Sequence, residues 1–193
     1  MRRLILLMSV SMDGYAAHAD GSLDWLTPEH GPNHGDQRHR LNLELLNSAG
    51  LIVIGGGVYA EMVEGWAESD SPMAQVINAL PKLVFSSSLE RADWNNATLT
   101  RRPIGEEIPE RRREEGGDIV VFGGVRLANS LIRERLVDEL RLTVHPVMLG
   151  EGRSIMQGLP EPQRFELVSS TVYADGSVLQ VLRPDGSGAD ARP

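Results

Sequence analysis

The sequence predicts an α/β fold: a mixed, mainly parallel sheet with helices on both faces, three layers in αβα order, ending in an antiparallel hairpin. Three observations predict it. Short apolar runs of strand length alternate with helical patterns through the first two thirds of the chain, as parallel pairing requires. Two of those runs, residues 51–54 and 119–122, end in glycines and lead into helical patterns. Residues 165–173 and 178–183 flank Ala174-Asp175-Gly176-Ser177, an Asp-Gly turn of the kind that joins antiparallel strands.

Residues 4–10 are a continuous apolar run, read as the first strand. Arg2-Arg3 before it and Ala17-His18-Ala19 after it imitate a signal peptide. Asp13-Gly14 interrupts the apolar stretch, so the segment reads as a core strand. Residues 11–27 form a loop punctuated by Asp13-Gly14 and Asp20-Gly21. Leu41, Leu45 and Leu46 recur at helical spacing, giving a helix over 35–48 with Gly50 at its stop.

Residues 51–54 are the second strand, and a helix begins at 58–63 after Gly55-Gly56-Gly57. Ser71 caps a helix over 72–80, with Pro72 at its first position. Residues 82–86 and 97–100 are the third and fourth strands. Residues 104–115 are charged and helical in pattern, although Pro109 works against a helix there. Strand 119–122 leads into a helix reaching Arg135, and 140–147 alternates as a strand does. The polar residues 185–193 read as a disordered tail beyond one domain over 1–184.

Composition removes several functions. The 193 residues carry 27 acidic and 19 basic side chains, a net charge of −8, with no basic stripe. Sequence-independent nucleic-acid binding needs Lys and Arg to neutralise phosphates, so it is not expected. There is no cysteine, which excludes disulfides, thiol chemistry and Cys-based metal sites, and fits the cytoplasm. No run approaches the 18 or so apolar residues of a membrane span.

The strand–glycine–helix junction at Phe122-Gly123-Gly124-Val125 is the leading candidate site. A helix N-terminus carries unpaired N–H groups and partial positive charge, and glycines let an anion approach the backbone. Gly55-Gly56-Gly57 repeats the layout, which suggests a dinucleotide held between the two turns. Neither G-x-G-x-x-G nor G-x-x-x-x-G-K-[ST] occurs. His30, His34 and His39 invite a metal-dependent hydrolase reading, but their spacing suits no single helical face, so no metal is expected. Asp13 directly follows the first strand, where open parallel sheets bind ligands, and is the candidate catalytic carboxylate. The charged run 106–115 reads as a solvated helical face, and Trp25, Trp66 and Trp94 as packing residues.

Taken in order, the motifs resemble those of the dihydrofolate-reductase-like family, in the group related to the C-terminal reductase domain of bifunctional riboflavin-biosynthesis deaminase–reductases. The matching pieces are Ser11-Met12-Asp13-Gly14-Tyr15, Leu23-Asp24-Trp25-Leu26, Ile54-Gly55 with Tyr59, Pro81-Lys82-Leu83-Val84-Phe85-Ser86 with Leu89, Asp118 through Gly124, Leu136-Val137-Asp138-Glu139-Leu140, and His145-Pro146-Val147-Met148-Leu149-Gly150-Glu151-Gly152. The resemblance implies about eight strands, NADPH as hydride donor, a small heterocyclic substrate and a homodimer. It places Gly123, Gly124, Val125, Arg126 and Leu127 at the pyrophosphate, Gly55, Gly56 and Gly57 across from them, Ser86, Ser87 and Ser88 at the adenosine end, and Asp13 towards nicotinamide and substrate.

The chain departs from that family's pattern at two places. Gly56 stands where the family has an arginine, and Ser87 where it has a second. Losing two charge-assisted grips implies weaker NADPH binding or tolerance of NADH. Arg101, Arg102 and Arg126 are the candidate substitutes. The alternative is a non-catalytic ligand-binding or dimerisation module on the same fold. With no H-x-E…P-C-x-x-C signature, deaminase chemistry is not expected.

Overall fold

The structure is a computed structural model that describes residues 1–26 and 35–186. In chain order the elements are β1 (Leu4–Ser11), α1 (Gly35–Ser48), β2 (Ala49–Gly55), α2 (Tyr59–Trp66), α3 (Pro72–Ala79), β3 (Lys82–Phe85), β4 (Ala97–Thr100), α4 (Ile104–Arg113), β5 (Asp118–Phe122), α5 (Val125–Arg133), β6 (Glu139–His145), β7 (Phe165–Val172) and β8 (Val178–Pro184). A single 3-10 turn at Asp24–Leu26 sits in the loop after β1.

The eight strands form one sheet in the order β4-β3-β2-β5-β1-β6-β8-β7. Neighbours from β4 through β6 are parallel, while β8 runs antiparallel to β6 and β7 antiparallel to β8. The closing hairpin therefore caps one edge, as its Asp-Gly turn predicts; Gly176 takes φ +78 there. This is the dihydrofolate-reductase-like arrangement.

Side-chain alternation sorts the core into two layers. Leu4, Leu6, Met8 and Val10 of β1 pack with Ile108 of α4 and Leu127, Ala128 and Leu131 of α5. Ile5 packs on the other face with Leu45 and Leu46 of α1 and Ile77 of α3. The amphipathic repeat of α5 is why this short helix docks on the sheet: its inner face is buried and its outer face is polar.

Three details differ from the sequence expectation. Gly50 does not stop a helix in a loop; α1 runs straight into β2, and Gly50 lies inside the strand. A Cβ at Gly50 would stand 2.7 Å from the Gly117 nitrogen, so the glycine serves close approach of β2 to the segment before β5. Pro109 does not prevent α4. Burial of Ile108 and ion pairs from Glu107 to Arg102 and Arg111 hold the helix across it. β6 ends at His145 because Pro146 has no N–H to continue the ladder.

The tail expected over 185–193 lies outside the described residues from 187 onward, as do His30 and His34. Among the described residues no helix is long and apolar enough to cross a membrane. Among them, too, no group of three or more His, Asp or Glu side chains is placed to hold a metal ion.

Candidate active site

The C-terminal ends of the parallel strands meet in a cavity of about 630 Å³. Open α/β sheets bind ligands at this edge, where the strand order turns back on itself. Here β5 returns between β2 and β1, so the turns after β2 and β5 come together. Their contact is close: the Gly55 amide donates to the Gly123 carbonyl at 3.4 Å. A Cβ on Gly124 would stand 3.0 Å from the Gly55 Cα, and Gly124 holds φ +101. Glycine at 124 is thus required twice, by backbone conformation and by the neighbouring turn.

Gly124 caps α5, and its carbonyl accepts the Ala128 amide at 2.9 Å. The amides of Val125, Arg126 and Leu127 precede that first helical bond and have no intrahelical acceptor, which leaves a cluster of N–H groups at the cavity wall. Gly55, Gly56 and Gly57 line the same cavity beside them.

Ser86, Ser87 and Ser88 line the cavity beyond β3. The Ser86 hydroxyl accepts the amides of Ser88 and Leu89 at 3.2 and 3.1 Å, which shapes that turn. Gly56 is fitted to it. A Cβ at 56 would stand 2.5 Å from both Ser86 Cβ and Oγ, so an arginine is not accommodated there without displacing Ser86.

Positive charge reaches this end from elsewhere. Thr100, Arg101 and Arg102, at the end of β4, line the cavity beside the serines. Arg102 is neutralised by Glu107 and Glu110 at 2.9 and 2.6 Å. Arg101 donates to the Leu89 carbonyl at 2.6 Å, with no carboxylate partner among the described residues. Arg126 also lacks an ion pair among the described residues. Arg101 and Arg126 both line the cavity, and neither has a carboxylate partner among the described residues.

The far end is walled by Ala17, Gly21 and Leu23 from the loop after β1, and by Arg153 from the loop after β6. Arg153 ties the two loops together, donating to the Ala19 and Asp20 carbonyls at 3.1 and 2.7 Å. Asp13 makes a second tie. Its carboxylate accepts the Ser11 hydroxyl at 2.5 Å, the Leu149 amide at 3.1 Å and the Gly150 amide at 2.7 Å. The Ser11 hydroxyl, with the two amides, holds this carboxyl below its usual range. It is ionised at neutral pH and engaged by three donors.

Of the expected site residues, the structure brings Gly55, Gly56, Gly57, Ser86, Ser87, Ser88, Gly124, Val125, Arg126 and Leu127 to the cavity wall. Gly123 and Asp13 are not among the lining residues; Asp13 lies exposed in the loop tie. Sequence reasoning missed Arg153, Ile104 and Ser130. Ile104 opens α4 directly beyond the end of β4, so the rule for parallel-strand ends points to it. Nothing in the local sequence joins Arg153 to residues 19–20.

The fold is shared with solved structures. A putative riboflavin biosynthesis protein from Shewanella sp. PV-4 superposes with a TM-score of 0.72 at 23% identity, covering 95% of this chain and 99% of that one. The diaminohydroxyphosphoribosylaminopyrimidine deaminase/5-amino-6-(5-phosphoribosylamino)uracil reductase of Thermotoga maritima gives 0.66 at 15% identity, covering 95% of this chain and 57% of that one. The uncharacterized protein YyaP of Bacillus subtilis (strain 168) is 28% identical over 191 residues, 96% of each chain. The sequence model of the RibD C-terminal domain matches residues 2–179, and the chain belongs to that family.

Proposed function

We propose that this protein is an NADPH-dependent reductase that delivers a hydride to a small heterocyclic acceptor, in the manner of 5-amino-6-(5-phosphoribosylamino)uracil reductases. One observation carries the reading. A single cavity is walled by both glycine turns, the free amides of the α5 N-terminus, the serine turn after β3 and two unneutralised arginines. That sequence of groups suits an elongated ligand with a charged end and a diphosphate in its middle.

The residues fit the cofactor. The amides of Val125 to Leu127 would hold the pyrophosphate, with the Gly55 turn beside them. Arg101 and the Ser86–Ser88 turn would hold the phosphorylated adenosine end, taking over from the arginines that the family resemblance implies at positions 56 and 87. When bound, NADPH supplies a hydride and is left as NADP⁺, and the acceptor gains that hydride and a proton drawn from water. The chain's own part is to orient both partners.

Titration of the purified protein with NADPH and with NADH, followed by thermal shift, tests this. Submillimolar binding of NADPH is expected, and no shift with either nucleotide at millimolar concentration sinks the reading. Arg101→Ala should weaken NADPH about tenfold, the loss of one charge-assisted contact, and leave NADH nearly unchanged. A homodimer, the assembly that the family resemblance implies, is expected in the same samples by light scattering.

A further inference from the structure

Two arginines follow one another at the end of β4, and their surroundings differ. The Ser86 amide donates to the Thr100 carbonyl at 3.3 Å, which carries the β3–β4 pairing one residue further. Arg101 and Arg102 therefore emerge directly beside the serine turn, and both line the cavity. Arg101 donates to the Leu89 carbonyl, an acceptor that leaves its charge uncompensated. Arg102 is held by two carboxylates of α4. Its Nη1 lies 2.9 Å from Glu107 Oε2 and 2.6 Å from Glu110 Oε2.

The two carboxylates serve the fold unequally. The Glu107 side chain is 2% exposed and also pairs with Arg111 at 2.8 Å. It stands in the first turn of α4, where a carboxylate suits the positive end of a helix. Glu110 lies beyond that turn, is 56% exposed, and pairs with Arg102 alone among the described residues. An exposed pair of this kind adds little to stability. Their mutual hydrogen bond holds the Glu110 carboxyl below, and the Arg102 guanidinium above, its usual value. The consequence falls on Arg102. A phosphate that approached it would meet two carboxylates already on its Nη1. Position 56 supplies no substitute, because a Cβ there would stand 2.5 Å from Ser86. At this end of the cavity Arg101 is free to grip a phosphate, and Arg102 is withheld.

We infer that Glu110 is a positioning residue that sets the cofactor preference. By holding Arg102 it keeps a second guanidinium from the adenosine 2′-phosphate, so the chain prefers NADPH through Arg101 alone and accepts NADH as well. This rests on the reductase reading. The two nucleotides differ only in that 2′-phosphate. A residue that governs its recognition shifts one affinity and leaves the other, whereas a residue that acts through the fold or the diphosphate shifts both. Glu110 does not itself line the cavity, and acts through Arg102.

The test is calorimetric titration of the full chain with NADPH, NADH and adenosine 2′,5′-bisphosphate, which carries the 2′-phosphate without nicotinamide. Glu110→Gln keeps the size of the side chain and removes its charge. It should tighten NADPH and the bisphosphate about fivefold, the scale of a released surface ion pair, and leave NADH unchanged. Adding Arg102→Ala to Glu110→Gln should return NADPH to the wild-type affinity or weaker. Glu106, also in the first turn of α4, makes no ion pair among the described residues. Glu106→Gln therefore removes the same charge without touching the pair, and should tighten NADPH far less. A Glu110→Gln variant that binds NADPH as wild type does, or gains equally for NADH, would overturn the assignment. So would a gain that survives Arg102→Ala, or an equal gain from Glu106→Gln. If the bisphosphate shows these changes while neither nicotinamide nucleotide binds at millimolar concentration, the role of Glu110 stands and the reductase reading falls. If none of the three binds, both fall.

Discussion

At the residue scale, Asp13 and Gly124 show how the same sequence signal divides into different jobs. Asp13 was legible as special from its place after the first strand. What it does depends on Leu149 and Gly150, more than 130 positions away, which no local pattern reports. Its three hydrogen bonds make it a tie between the loops after β1 and β6. Asp13→Ala should therefore speed hydrogen exchange at the Leu149 and Gly150 amides selectively, while protection in β1 persists; uniform protection would deny the tie. In sequence, Gly124 marks a place for an anion to approach. The structure adds a packing reason that holds with or without ligand: φ +101, and Gly55 close by. Gly124→Ala should cost about 1–3 kcal/mol of stability in denaturant titration, even in the absence of nucleotide.

At the element scale, the strands were readable because buried parallel strands need continuous apolar runs, and helices because their inner faces repeat every three to four residues. The junctions were harder. Gly50 looks like a helix stop in sequence, yet its role is set by Gly117, a contact that exists only once β2 and β5 pair. Arg101 and Arg102 are candidate substitutes in sequence; only the parallel register of β3 and β4 brings them beside Ser86. α4 carries the clearest internal conflict. Pro109 removes a backbone bond and crowds the carbonyl of Gly105, yet the helix persists through its ion pairs and Ile108. Pro109→Ala should then raise stability by about 1–2 kcal/mol, a rise of several degrees in melting temperature. A lower melting temperature would show that the ring itself is packed usefully.

At the scale of the whole molecule, acid should act through His145, which burial and the Arg38 charge hold neutral. The folded state holds His145 near 4 against an ordinary 6.5, so the unfolded chain binds more protons between those values. Stability contributed by the neutral ring is complete above pH 6.5 and is lost as pH falls towards 4, by about 3 kcal/mol at most. Ser9, Trp25, Arg38 and Asp175 are the groups that face it. Asp175, held down to about 2 by its Ser177 and Arg38 bonds, stays ionised across that window. His145→Gln should flatten the stability profile between pH 4 and 6.5; an unchanged slope would assign acid sensitivity elsewhere. The mainly parallel sheet was legible overall, but its strand order was not. Leu4 pairs with Ile119 and Ile5 with Glu139, and the sequence holds no sign of either distance. That order has a consequence during synthesis. At roughly 5–20 residues per second, β1 leaves the ribosome roughly 7–27 s before both its neighbours exist. Until β5 emerges its apolar run has no native partner, and the sheet can grow only around β2, β3 and β4. β1 is the first strand made, and it waits longest for the pairing that buries it.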